Sequence, residues 1–461
     1  MAGTKRVILF TIKEDQTEIR SLIDTMGYDI VEVFYQKRRR PDPNYYLGKG
    51  RFEEVQRFLG IDVDEEDREI SNMAEKSAEK REKRGREREK KDIDAVIVDD
   101  QIKPAQHYRI ERGLKIECMD RTGLILNIFN EHAHTKEAKL QVELARLQYQ
   151  LPLIKEWVHR AKEGEKPGFM GGGAYAVDVY YEMANRRIGL IKKIFKDIEK
   201  DREIKREIRR KKTTLVALAG YTNAGKSTLL RTLSGDEDIF VDDRLFSTLS
   251  PVTRRAKGER NPVLFTDTVG FIDNLPTETI KAFMSTIEEI FMADIVILVF
   301  DISDPEEEIR RKLKASIDLL LPEVGNDRIV YVANKIDLLS EKERERKMRY
   351  VIDNIGNDAL FVSALDTSTR NRVMRRIYSI IKKGRNRVFI ELPAENEETY
   401  RAINRIKGMS IISSIDVREK NIEISAYVVR DKVSYLEDIV SKARGRLTVF
   451  PEKNDDVSMY V

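Results

Sequence analysis

Thr214-Leu215-Val216-Ala217-Leu218-Ala219, then Gly220-Tyr221-Thr222-Asn223-Ala224-Gly225-Lys226-Ser227, then Thr228-Leu229-Leu230-Arg231 is the stretch that decides the architecture. The first six residues read as a buried strand, and the residues after Ser227 read as the opening of a helix. Between them stands G-x-x-x-x-G-K-S, whose glycines let successive backbone N–H groups turn inward around a phosphate at a helix N-terminus. In that pattern the Lys226 ammonium reaches the β- and γ-phosphates and the Ser227 hydroxyl serves Mg²⁺. A glycine turn holding no nucleotide is the plain alternative, and the strand–loop–helix context weighs against it.

Toward the C-terminus, Ile329-Val330-Tyr331-Val332-Ala333 reads as a strand delivering Asn334-Lys335-Ile336-Asp337. An aspartate at Asp337 can accept both N1–H and N2–H₂ of guanine, a pattern adenine lacks; Asn334 ties loops beside the base, and the Lys335 stem covers one face. Leu360-Phe361-Val362 then ends at Ser363-Ala364-Leu365, whose backbone N–H groups can meet the guanine O6. Such short words are weak singly and strong in order, each at a strand end. Upstream, Phe265-Thr266-Asp267-Thr268-Val269-Gly270 is a strand closing on D-x-x-G, where Asp267 holds Mg²⁺ through water and the Gly270 N–H contacts the γ-phosphate. Leu245-Phe246-Ser247-Thr248-Leu249-Ser250-Pro251 is the candidate switch loop, with Thr248 as the second Mg²⁺ hydroxyl and Thr253 as its competitor.

These residues predict a Mg²⁺-dependent GTPase domain over 213–384, with Lys226, Thr248 and Gly270 as its catalytic set and Ser227 and Thr248 as metal ligands. Phe271 stands where a Ras-like switch places a water-orienting glutamine, so unaided hydrolysis is expected to be slow and completed by a partner, another loop or a monovalent cation. Asn223 occupies the position of the P-loop asparagine of potassium-using GTPases, which makes K⁺ a candidate second ion; the alternative is a bond within the loop.

The chain of 461 residues has room for about three domains. Charged residues reach 36%, yet 84 basic side chains nearly cancel 80 acidic ones, so the net charge of +4 does not announce a nucleic-acid binder. Cys118 is the single cysteine, which excludes an intrachain disulfide and reads as a small buried hydrophobe; His107, His132, His134 and His159 are too scattered for a metal cluster. Met1 to Lys5 leads straight into a strand-like run, and the most apolar run, Ile295–Phe300, is far below the ~20 residues of a membrane span, so a cytoplasmic protein is expected.

Four blocks emerge. Residues 1–130 alternate strands (Val7–Phe10, Ile30–Phe34, Ile93–Val98, Leu114–Met119) with helices and predict a parallel α/β sheet, interrupted at 62–92 by a charged insertion that is either a solvated helix or a disordered loop. Residues 131–212 carry helical periodicity on both sides of a glycine-rich loop at 164–174, predicting a two-helix, coiled-coil-like arm with a basic end at Lys205–Lys212. The GTPase domain follows. Residues 385–461 predict a small α+β module ordered strand, helix, strand, strand, helix, strand.

Gly220–Thr228, Leu245–Leu249 and Asp267–Ile272, together with Arg40–Gly50, Asp120–Leu126 and Thr135–Leu144, resemble the HflX family of ribosome-associated GTPases across most of the chain. That resemblance implies a protein that binds the large ribosomal subunit as its GTP form, monomeric there, with the N-terminal domain and arm approaching the RNA of the peptidyl-transferase region. It implies hydrolysis stimulated by the subunit, and a role in splitting stalled ribosomes for rescue or recycling. A ribosome-assembly checkpoint, or an RNA-binding factor in which GTP is mainly structural, would use the same words. ATP binding by the N-terminal domain is also linked to the family, and no second P-loop is present here. The insertion at 62–92 departs from the family pattern, and Gly168–Tyr175 is worded more like archaeal relatives; that loop is either an RNA-facing tip, with Lys166 adding charge, or a plain hairpin turn. The basic patches Lys37–Arg40 and Lys205–Lys212 suit rRNA contact.

Overall fold

The computed structural model describes residues 4–61, 92–164, 172–210, 213–236, 252–259, 261–271, 287–394 and 397–450. Residues 62–91 of the charged insertion, residues 165–171 of the glycine-rich stretch and the Phe246–Ser250 segment with Thr248 lie outside the described residues; Gly164 and Gly172 to Ala174, expected in the loop, instead close one helix and open the next, since a helix end tolerates glycine. The described residues divide into two compact units, one up to residue 196 and one from 197 onward.

The first unit is built on four parallel strands, β1 (Arg6–Thr11), β2 (Asp29–Tyr35), β3 (Ala95–Val98) and β4 (Glu117–Asp120), in the order β2-β1-β3-β4. Val7 to Thr11 and Ala95 to Val98 are buried without alternation, as strands covered on both faces must be. Helices α1 (Thr17–Thr25), α2 (Lys49–Phe58), α3 (Pro104–Leu114) and α4 (Arg121–His132) accompany the sheet. The run Leu114–Met119, expected as one strand, is split: Leu114 ends α3, Lys115 turns left-handed at φ 54°, and β4 begins only at Glu117. Leu114 is apolar because it closes a helical core face, a role that alternation alone cannot distinguish from a strand position.

Two long helices follow, α5 (Lys136–Gly164) and α6 (Gly172–Arg210). They meet through Leu144, Ile188 and Ile191, with Leu140, Leu147, Leu151 and Phe195 around them, and through a bidentate pair in which Arg187 donates to both Glu143 oxygens at 2.6 and 2.8 Å. Asp120 fastens α5 to the sheet. Its Oδ1 accepts from the Gly123 N–H at 2.8 Å, capping α4, and from the Tyr149 hydroxyl of α5 at 2.9 Å. Burial pushes the Asp120 carboxyl up to about 6, against the pull of those donors.

The second unit contains two sheets. One has six strands in the order β10-β9-β8-β5-β7-β6: β5 (Thr214–Ala219), β6 (Val252–Arg255), β7 (Val263–Asp267), β8 (Ile295–Asp301), β9 (Ile329–Asn334) and β10 (Leu360–Phe361). All pairs are parallel except β6 with β7. Helices α7 (Lys226–Ser234), α8 (Glu306–Val324), α9 (Glu341–Ile355) and α10 (Ser368–Lys382) cover it, α8 and α9 through Ile309, Leu320 and Val351, α7 and α10 through Leu230, Leu233 and Val373. Central β5 lies between β7 and β8, so the carboxyl ends of the strands converge on the loop after Ala219.

The other sheet is antiparallel, in the order β12-β13-β11-β14, from β11 (Arg385–Pro393), β12 (Ile411–Val417), β13 (Asn421–Val429) and β14 (Arg446–Phe450). With α11 (Glu397–Met409) and α12 (Val433–Lys442) it forms the split β-α-β-β-α-β arrangement. Val388, Ile390, Leu392, Ile424, Ala426 and Val428 face the two helices. The turn between β6 and β7 reaches this sheet: the Asn261 amide donates to the Ile412 carbonyl and accepts from the Ile412 N–H, both at 2.8 Å. No helix among the described residues is long and apolar enough to cross a membrane.

Candidate nucleotide site

Ala219 ends β5 with no exposure, and the chain then turns through three residues of positive φ: Gly220 (142°), Asn223 (61°) and Gly225 (88°). A side chain at Gly220 would overlap the Val299 carbonyl of β8, and one at Gly225 would overlap the Asn334 amide. Glycine is therefore imposed at both ends of the loop by conformation and by space. Such a succession aims backbone N–H groups into one concavity.

Lys226, first residue of α7, is buried, and its ammonium donates to the Tyr221 carbonyl at 2.8 Å. Burial pushes its pKa down to about 8, with the Asp267 carboxylate opposing. An ammonium so desolvated, at a helix N-terminus, matches an anion. Beside it the Ser227 hydroxyl donates to Asp267 Oδ2 at 2.6 Å, so two hard oxygen donors from different elements converge at the mouth of the loop. That donor set fits Mg²⁺. Thr222, Thr228 and Val269 are half-buried around it, Ala224 is buried and Asn223 is exposed.

The D-x-x-G word presses against the loop. Thr268 donates its hydroxyl to the Leu218 carbonyl at 2.7 Å and its N–H to Asp267 Oδ1 at 3.0 Å. A Cβ at Gly270 would fall 2.7 Å from Thr222, so only glycine permits this approach. Phe271 is buried and meets Tyr221 edge-on, ring centroids 6.3 Å apart. Its N–H donates to the Gly220 carbonyl at 2.9 Å, and the Thr222 N–H donates to its carbonyl at 3.0 Å. Thr253 shares a 3.0 Å hydrogen bond with Thr266 on the neighbouring strand.

On the other flank, Asn334 is 2% exposed. Its amide donates to the Ala224 carbonyl at 2.9 Å, and its carbonyl oxygen accepts from the Ala364 N–H at 2.8 Å. One side chain thus joins the phosphate loop to the Ser363–Leu365 loop. Ser363 is held in turn by the Thr369 hydroxyl, which donates to its carbonyl at 2.6 Å; Leu365 is exposed. Lys335 turns the chain at φ 66° and sets its ammonium 2.7 Å from Asp301, beside Ile336 in the core and Asp337 at the surface. Sequence reasoning passed over Asp301. Its signal was an acid closing the wholly apolar run Ile295–Phe300, as Asp267 closes β7.

Comparison with known proteins adds the family. Residues 13–71 and 63–130 match a family described as "GTP-binding GTPase N-terminal", residues 132–209 match "GTP-binding GTPase Middle Region", and residues 215–335 match "50S ribosome-binding GTPase". The GTPase HflX of Thermofilum pendens is 40% identical over 340 residues, 73% of each chain. That of Thermococcus kodakarensis is 36% identical over 427 residues, 90% of this chain and 88% of its own. Among solved structures, a GTP-binding protein from Sulfolobus solfataricus in complex with GDP is 24% identical and covers 82% of this chain and 98% of its own, with a TM-score of 0.42. The sequence expectations of a P-loop fold and of a GTPase both hold, and with relatives of this similarity over this length the chain belongs to the HflX family of GTPases.

Proposed function

We propose that this GTPase binds the large ribosomal subunit in its GTP form, separates stalled ribosomes into subunits, and leaves after hydrolysis stimulated by the subunit. The observation that carries the switch is the convergence of the Ser227 hydroxyl and the Asp267 carboxylate, 2.6 Å apart, beside the buried Lys226 ammonium. The ribosomal part is supported by the match of residues 215–335 to a family described as 50S ribosome-binding. In this reading the protein works in the cytoplasm and is organised as the four blocks 1–130, 131–212, 213–384 and 385–461.

Each residue then has a task. The N–H groups of Gly220 to Thr228 and the Lys226 ammonium hold the phosphates, and Asp337 with the Ser363–Leu365 backbone selects guanine. Ser227 and Thr248 would hold Mg²⁺ and Asp267 would hold it through water, with Phe246, Ser247, Leu249 and Ser250 carrying Thr248 into place; the ion would supply charge neutralisation between the β- and γ-phosphates. Asn223 would serve K⁺. Gly270 offers its N–H to the γ-phosphate, a contact that hydrolysis removes. The buried Phe271 ring is committed to packing on Tyr221, so the group that orients the attacking water comes from another loop, an ion or the ribosome.

Sedimentation with isolated large and small subunits tests this, using a non-hydrolysable GTP analogue against GDP. Large-subunit binding with the analogue only is expected, together with splitting that Lys226→Ala abolishes. Equal binding in both nucleotide states sinks the switch; binding without splitting moves the protein to subunit assembly.

A further inference from the structure

The split β-α-β-β-α-β module covers one face of its sheet with α11 and α12, and what stands on the other face is unusual for a surface. The register places Arg387 opposite Tyr427 on one side and opposite Phe450 on the other, so a tyrosine, a guanidinium and a phenyl ring form one row across β13, β11 and β14. Phe389 stands one row along, between Ser425 and Thr448. Arg387, Thr448 and Phe450 are exposed, Phe450 to 49%, while Phe389 and Tyr427 are half-buried. Solvent-facing rings on adjacent strands cost hydration free energy that no core contact returns, since the inward residues on the same strands make the core.

The row is also basic at this end. The Lys382 ammonium lies over the Tyr427 ring, 4.6 Å from its centroid, and Lys383 is exposed beside it. At the far end the charge is mixed and no ring stands in the register: Glu391 lies between Glu423 and Arg446, and Glu423, next to Asp416, is ion-paired with Arg418 at 2.9 Å. A ligand that uses the rings is therefore confined to the Tyr427–Arg387–Phe450 row and Phe389.

We propose that the sheet face of the C-terminal module away from its helices, at Arg387, Phe389, Tyr427 and Phe450, stacks the bases of single-stranded RNA, with Lys383 and Lys382, which gives up its place over the Tyr427 ring, holding its phosphates. From β13 to β14 the row spans ~10 Å, twice the strand spacing, room for the two or three bases that a four-stranded sheet of this kind stacks. Rings and guanidinium planes engage base faces, which a duplex hides, so the site selects single strands. A protein partner would have to bury the same rings without phosphates to meet the lysines. The inference is independent of the ribosomal role proposed above, because it concerns free RNA.

The test uses the full chain and a fluorescent single-stranded RNA about ten nucleotides long, followed by anisotropy, with 4-thiouridine crosslinking to locate the contact. Phe450→Ala and Arg387→Glu are each expected to weaken binding roughly 5- to 100-fold, with melting temperature confirming the fold and crosslinks falling in residues 385–393, 421–429 or 446–450. Three results would each overturn the inference: affinities unchanged within about two-fold, a duplex competing as well as the single strand, or crosslinks confined to the N-terminal half.

Discussion

Replacing Asn334 by alanine separates two loops that, among the described residues, this side chain joins by hydrogen bonds to both. The substitution leaves the Ala224 carbonyl and the Ala364 N–H facing each other across the space the amide filled. Each buried group left without a partner costs ~1–3 kcal/mol, so the variant should lose about 2–6 kcal/mol, toward the lower end if water enters. At ~1.4 kcal/mol per decade, the smallest loss already amounts to more than ten-fold in an equilibrium constant. We expect the nucleotide-free protein to melt earlier and a fluorescent GDP analogue to dissociate at least ~10-fold faster, because the loops that hold phosphate and base are no longer registered to one another. Asn334→Asp sharpens the test. Its carboxylate can still accept from Ala364 but meets the Ala224 carbonyl with no donor, so it should not rescue the alanine variant. A loss below ~1 kcal/mol with unchanged dissociation would refute the idea that Asn334 joins the loops energetically.

Nucleotide binding should take up a proton on Lys226: its pKa, about 8 through burial, rises again when phosphate arrives, so calorimetry at pH 9 in two buffers of different ionisation enthalpy should show uptake. The sign for the free protein follows, since the unfolded chain holds more protons on this lysine than the folded one between about 8 and 10.5, and stability rises with pH through that window. Tyr149→Phe should cost ~1–3 kcal/mol at neutral pH and less in acid. Asp120, raised to about 6, contributes stability that is complete below 3.8 and lost as pH rises through 6; an equal cost at pH 5 and 7.5 in thermal melts would contradict this. Gly220→Ala forces a Cβ onto the Val299 carbonyl at a φ of 142° and should destabilise by at least ~2 kcal/mol, read as a drop in melting temperature and loss of GDP binding.

Much of this was legible in the sequence because the information is local. Strand–glycine–lysine order fixes the phosphate loop, and in the C-terminal module, alternation of period two from Val388 to Leu392 and from Ile422 to Val428 sets the strands to within a residue or three. Tertiary facts were not legible. Nothing around Leu114 says that the apolar run changes from helix to strand at Lys115, because both elements bury the same face. Asp301 gained its meaning only when β8 and β9 lay side by side and brought it to Lys335. The Phe271 substitution for glutamine was visible, but its partnership with Tyr221 was not, since fifty residues separate them.

The side chain of Asn261 is, chemically, a peptide group on a short stem. By giving and receiving one hydrogen bond with Ile412 it behaves as an extra strand residue, blunting the free edge of β12 against pairing with another chain. It also makes β7 a strut: one end is Asp267, in the phosphate site, and just before the other Asn261 is hooked to the aromatic-bearing module. A strut cannot lengthen, so any sliding of β7 that follows the loss of a phosphate must either carry β12 with it or break both bonds at Asn261. Amide exchange at Ile412 is thus a remote gauge of what happens at Asp267.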